Sequence, residues 1–373
     1  MTATTALRLD LAGLHTRPAQ VWGGIRLVPL VRDEPVPGLR LHKELYGDGV
    51  GVVDVAPRTV YTSYIPHGFV ADWGTGPAAA YGTQLRGEHG DPAPVEAMPV
   101  RFHRRMVRRE AKRRLRFLPL HLALEGYLGL HFGGPAIAWE EWSQQALRRG
   151  LSPRVEEAYT GAAVRGLGDA LRVFEIHPGQ CGVLLHTADA LAAAFVVPHP
   201  DDYRALHTTL VQDLYGDLVH HYALLSAPVQ DFVPHLDAAR IDSTADLRAA
   251  LAAQQREWAG FHTGTMAAGL LAPEYTARAL YRAGDFTLRR FVPAFRPRTE
   301  SHIGEAITAA DGRVAYLKTF RLSEAQIRRG HLLSCLAAHD WHVARAAADL
   351  ALTPAELTAR LRTAGFAHLL RHK

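Results

Sequence analysis

The chain has 373 residues, 48% hydrophobic and 21% charged, with a net charge of +5. That composition excludes wholesale disorder, and the length exceeds what one compact core usually absorbs, so two or three domains are expected. No apolar run approaches the roughly 20 residues that cross a bilayer, and the two cysteines, Cys181 and Cys335, lack CxxC spacing for a metal or redox pair.

In chain order, Met1–Thr5 lacks the basic and apolar regions of a secretory signal, so a cytoplasmic protein without a membrane partner is expected. Short β-branched runs broken by Gly and Pro predict strands over 24–31, 50–55 and 59–65. A Gly- and Pro-rich loop is expected over 74–99. Residues 101–116 then hold nine Lys/Arg against one Glu, more positive charge than the whole chain retains. Arg101, Arg104, Arg105, Arg108, Arg109 and Lys112 recur at spacings of three and four, which predicts one basic helical face suited to phosphates. A solvated face is the competing reading.

Helix is expected over 139–149 and strand over 170–176, followed by a His177-Pro178-Gly179 turn. Residues 182–187 and 191–197 read as a hairpin around Ala188-Asp189, and 200–222 as a helix with Asp201 and Asp202 in its first turn. Ser243 or Thr244 opens a helix to 271, and Asp311-Gly312 turns a hairpin within 307–320. Everything after Ser323 reads as helical. The expected fold class is therefore an α+β amino-terminal domain over 1–225, with a mixed or antiparallel sheet and helices. A helical connector with a β-hairpin follows over 226–320, and an all-α helix-turn-helix tail over 321–373.

The tail carries the most specific pattern. Ser323 with Gln326 caps a first helix to about Ala338, a second runs from His342 to Leu350, and Thr353-Pro354 opens a third that stops at Gly365. The stretch WHVARAAADLALTPAELTARLRTAGF, residues 341–366, resembles a Fis-type helix-turn-helix. The resemblance implies DNA as partner and a homodimer formed through the tail. Thr353, Glu356, Thr358, Arg360 and Arg362 are the residues it assigns to DNA, with Ala351 standing where that family usually has Gly.

The segments 115–135, 171–207 and 209–224 together resemble an uncharacterised bacterial domain, the ADP-ribosylglycohydrolase- and rhodanese-phosphatase-associated protein domain. The resemblance covers roughly residues 20–225. It implies a stress or conflict setting and a nucleotide-like small ligand, with no reaction attached. Glu125, Glu175, His177 and Gln180 end apolar runs and make a candidate ligand pocket; simple satisfaction of a turn explains them as well. The run Val197–Asp202 is similar to the Pro-His-Pro-Asp-Asp signature of zinc-dependent sugar N-deacetylases, with His199 and Asp202 at the metal positions. Helix-opening carboxylates behind a proline turn are the preferred reading, and no metal or other cofactor is expected.

Walker, GxGxxG and triad patterns are absent from the sequence, so an enzyme is disfavoured. The expected function is a DNA-binding regulator, of transcription in a stress response, with an amino-terminal sensor or effector domain. The alternatives are an enzyme or nucleotide binder whose tail serves dimerisation or targeting, and a non-catalytic adaptor of a multi-gene stress system.

Overall fold

The computed structural model describes residues 4–41, 52–56, 59–62, 70–71, 83–85, 115–117, 127–128, 131–132, 175–211 and 216–370. Its strands are β1 (Thr4–Arg8), β2 (His15–Thr16), β3 (Gln20–Trp22), β4 (Ile25–Val31), β5 (Val52–Ala56), β6 (Thr59–Thr62), β7 (Val70–Ala71), β8 (Gln84–Leu85) and β9 (Leu115–Phe117). There follow β10 (Gln180–Thr187), β11 (Ala190–Val196), β12 (Glu274–Ala283), β13 (Phe286–Val292), β14 (His302–Thr308) and β15 (Val314–Arg321). The α-helices are α1 (Pro200–Thr209), α2 (Gly216–Val219), α3 (Thr244–Gly260), α4 (Ala268–Leu271), α5 (Glu324–Ala338), α6 (Val343–Asp349) and α7 (Pro354–Thr363). None of the described helices is long and apolar enough to cross a membrane.

One 10-stranded sheet dominates, in the order β1-β12-β13-β14-β15-β11-β10-β4-β2, with β3 also on β4. Every pairing in it is antiparallel. Its local units follow from turn chemistry. Ala188 and Asp189 both take positive φ, 47° and 59°, the geometry of a two-residue hairpin between β10 and β11. At the β14–β15 turn the Arg313 amide donates to Asp311 Oδ1, and Gly312 takes φ 87°. β4, β10, β14 and nearly all of β11 and β15 are buried along their length, the run-like apolar pattern of central strands.

This architecture overturns the expected fold class. The presumed helical connector supplies four strands, β12 to β15, that pair as a meander at the heart of the same sheet as β1, β4, β10 and β11. An all-α helix-turn-helix tail is not shown either. The helices after Ser323 run on from β15, and their apolar residues Ile327, Leu333, Leu336, Ala347, Leu357 and Leu361 belong to one continuous core with the strands. The reason is burial: a sheet this wide needs cover, and α5 provides some of it. Residues 115–117, placed at the end of a basic helix, form β9 beside β6. The rest of that helix, and the helix expected over 139–149, lie outside the described residues. So does most of the strand expected over 170–176, whose last two residues, Glu175 and Ile176, are not in a strand.

The seating of α5 can be tested at one atom. Gly330 lies in mid-helix, where a Cβ would sit 2.2 Å from two ring carbons of Phe295. On an open helix Gly→Ala stabilises by about 1 kcal/mol. Here the ring is fixed in the loop between β13 and β14, and Phe295 itself holds φ 48°. Gly330→Ala is expected to destabilise by about 1–3 kcal/mol in urea unfolding. A gain in stability would show that α5 does not rest on that ring.

Candidate functional site

The most unusual chemistry lies in the middle of the sheet. Arg290 on β13, Glu305 on β14 and Lys318 on β15 are direct cross-strand partners, Arg290 with Glu305 and Glu305 with Lys318. All three are 0–1% exposed, unlike Arg289 and Arg321 on the same strands. Arg290 Nε lies 3.4 Å from Glu305 Oε1, and Lys318 Nζ lies 3.5 Å from Glu305 Oε2. The Thr83 amide donates to Glu305 Oε2 at 2.9 Å, and the Thr83 hydroxyl lies 3.2 Å from the Tyr316 hydroxyl.

Burial pushes the Lys318 ammonium down to about 8, while Glu305 opposes that shift. The Tyr127 hydroxyl donates to the carbonyls of Phe291 and Gly304, and its ring faces the Arg290 guanidinium at 5.7 Å. Burial, then Arg290 and Arg278, drive the His131 imidazole down to about 3. A lysine tuned toward neutrality beside a carboxylate and a guanidinium is the kind of group that binds or moves protons.

A second polar cluster sits where β4, β10 and the segment after α3 meet. Arg26 is 3% exposed and pairs with Asp189 at 3.0 Å, donates to the Gln230 carbonyl, and stacks on Phe232 at 4.8 Å. Beside it His186 and His262 bring their rings to 6.3 Å, with no hydrogen-bond partner on any ring nitrogen among the described residues. Burial holds both imidazoles low, at about 3 and about 4.

The third site is a cleft between α5 and α7. Arg328, Arg329, His331 and Arg360 line it together with Pro297 and Leu332, around a cavity of about 780 Å³. Arg329 stacks over Phe366 at 4.8 Å, and Arg328 lies 3.8 Å from Glu324. Thr353 and Glu356 form a reciprocal capping box at the start of α7. The Glu356 carboxylate accepts from the Thr353 amide and hydroxyl, which lowers its pKa and turns it back along the chain. Arg360 and Arg362 are exposed and Thr358 is half-buried. Two residues apart on a helix, the arginines point about 160° away from each other, so only Arg360 faces the cleft.

The remaining expected site residues do not converge. Arg101, Arg104, Arg105, Arg108, Arg109, Lys112 and Glu125 lie outside the described residues. Glu175 is exposed, and its carbonyl accepts from Gln20 Nε2. His177 Nδ1 accepts from the Gly179 amide, while Gln180 Oε1 accepts from the His177 amide and its Nε2 donates to the Gly182 carbonyl. Those two side chains satisfy the turn they stand in. His199 caps α1 by accepting from the Asp201 amide. Asp202 faces inward and holds Arg40 and the Leu41 amide. The residues that sequence reasoning missed are the charged row itself. A charged residue within each of three largely apolar strands was the available signal.

The profile of the ARPP-2 family matches residues 9–284. No curated protein and no solved structure matches the chain.

Proposed function

The chain belongs to the ARPP-2 family, and on that premise we propose that it is a DNA-binding regulatory protein whose sheet carries a ligand-responsive site. The observation that carries the reading is the cleft between α5 and α7, where Arg328, Arg329 and Arg360 gather while Glu356 is turned away into its capping box. Arginines at the rim of a concave site suit phosphate, and exposed Arg362, with half-buried Thr358, on the other side of α7 suits base edges or backbone. The basic segment 101–116 adds sequence-independent attraction. The resemblance of residues 341–366 noted above agrees with this reading, and the reading extends to transcription control in a stress setting.

The test is binding to fragmented genomic DNA at two salt concentrations. Sequence-selective binding that survives the higher salt is expected. The double variant Arg360→Ala/Arg362→Ala should bind at least roughly tenfold more weakly, since a bidentate contact to guanine is worth about 1–3 kcal/mol. Unchanged affinity in a folded double variant would sink the assignment to α7.

A second reading is favoured by the buried row of Arg290, Glu305 and Lys318. A lysine held near neutrality beside a carboxylate and a guanidinium, at the centre of the sheet, is the feature that would answer to an anionic nucleotide-like ligand such as ADP-ribose. The finer family reading, an ADP-ribosylglycohydrolase- and rhodanese-phosphatase-associated domain, agrees with it. A thermal-shift series with ADP-ribose and nucleotides tests it, and no shift with any of them would remove it.

A further inference from the structure

α5 ends at Ala338, and Asp340 and Trp341 carry the chain into α6 through two left-handed residues, φ 50° and 62°. That reversal lays the end of α6 against the last turn of α5. Three side chains meet there. Cys335 Sγ lies 3.4 Å from Asp349 Oδ2, and His339 Nε2 lies 3.3 Å from the same oxygen. One ligand atom from each of the three falls within 4.8 Å of the others. His331 stands one turn before Cys335, so 331, 335 and 339 recur at intervals of four along one side of α5. His331 is near enough to help lower the Asp349 carboxyl, behind the larger effects of His339 and Cys335.

We propose that Cys335, His339 and Asp349, completed by His331 or a water, form a zinc site that clasps α5 to α6. Tetrahedral zinc with bonds of about 2.0–2.3 Å sets its ligands roughly 3.3–3.8 Å apart. The two shortest separations already fall in that range. A set of one sulfur, one imidazole and one carboxylate matches zinc, and it disfavours magnesium and calcium, which take oxygen. On binding, the Cys335 thiol loses its proton to solvent and the sulfur bonds the ion. Zn²⁺ with one thiolate and one carboxylate is then neutral overall. Cys335 is 7% exposed and Asp349 lies at the surface, so the ion has an entry path and the sulfur a sheltered position.

The alternative account is that the thiol and imidazole simply donate to a surface carboxylate. A raised thiol pKa, pushed to about 11 by burial and then by Asp349, describes the metal-free state under both accounts. Metal binding separates them. The full chain, stripped of metal by a chelator, would be titrated with Co²⁺ as spectroscopic probe and then with Zn²⁺ against a chromophoric chelator. The wild type is expected to give a sulfur-to-cobalt charge-transfer band and tetrahedral ligand-field bands. Cys335→Ser should lose the charge-transfer band, while Cys181→Ser, which removes the other cysteine, should keep it. Asp349→Asn changes an exposed position and should retain the fold; its Zn²⁺ affinity should fall at least tenfold. Absence of the band in the wild type, its persistence in Cys335→Ser, or equal Zn²⁺ affinity in Asp349→Asn would overturn the proposal. None of these readouts involves DNA, so the outcome is independent of the regulatory reading.

Discussion

Glu305→Ala is expected to cost about 3–5 kcal/mol of folding stability, the range for removing one partner of a buried ion pair. The carboxylate faces two cations, Arg290 and Lys318, and accepts from the Thr83 amide. Its loss removes the carboxylate that lies between two positive groups on the strands either side of β14. Lys318 has the cheaper escape, because its ammonium is already held near 8 and can shed its proton. Arg290 cannot. The informative companion is the triple variant Arg290→Met/Glu305→Leu/Lys318→Met, which removes the charges together. If the row serves only the fold, the triple variant should be close to wild type or more stable. If it binds an anion, the triple variant should fold and lose all stabilisation by that ligand. Urea unfolding of both variants decides, and a Glu305→Ala protein as stable as wild type would show that the row is not held together as the distances indicate.

Acid should unfold the protein early, and histidine rather than carboxylate should be the cause. His186, His207, His262 and His302 are 0–4% exposed, and burial lowers all four imidazoles below their ordinary value of 6.5. A group depressed in the folded state is protonated first in the unfolded chain. Its contribution is therefore complete above about pH 6.5 and is lost as pH falls toward the folded value, about 3 for His186 and about 4 for His207 and His262. Each such group contributes a slope of up to about 1.4 kcal/mol per pH unit in that window, so four acting together approach roughly 5 kcal/mol per unit. His186 and His262 also face Arg26, which opposes charging either ring, while Asp189 pulls His262 the other way. Unfolding free energies measured at pH 7.5, 6.5 and 5.5 should fall slightly over the first interval and about three times as steeply over the second. His262→Phe should reduce the slope by about one group. Stability unchanged down to pH 5 would mean that the imidazoles reach water or a partner.

What was legible in the sequence was local. The turns at Ala188-Asp189 and Asp311-Gly312, the Ser323–Gln326 cap and the Thr353-Pro354 start all depend on neighbours within a few residues, and the structure places them as expected. The order of the sheet depends on pairings such as β1 with β12, which no local pattern encodes. β12 misled for a physical reason: Ala, Arg and Leu in Glu274–Ala283 are good helix formers, and sheet context overrides that preference. The charged row was hidden because its members lie on three different strands and only the pairing register sets them side by side. Of the proposed zinc ligands, the four-residue spacing of His331, Cys335 and His339 was readable, but Asp349 joins them only through the reversal at Asp340 and Trp341.

The sheet's strand order bears on how the chain is made. β12 to β15 are consecutive and can pair within a few dozen residues of one another, whereas β4 waits for β10 and β1 waits for β12. At 5–20 residues per second, the roughly 270 residues between β1 and its partner take about 15–50 s to emerge from a ribosome. β4 has β2 and β3 along one edge from the start, but its other edge stays open until β10 follows, roughly 150 residues later. The open edges of β1 and β4 are therefore the places where a nascent chain is exposed to mispairing, and slow codons placed between each strand and its partner would lengthen that exposure rather than relieve it.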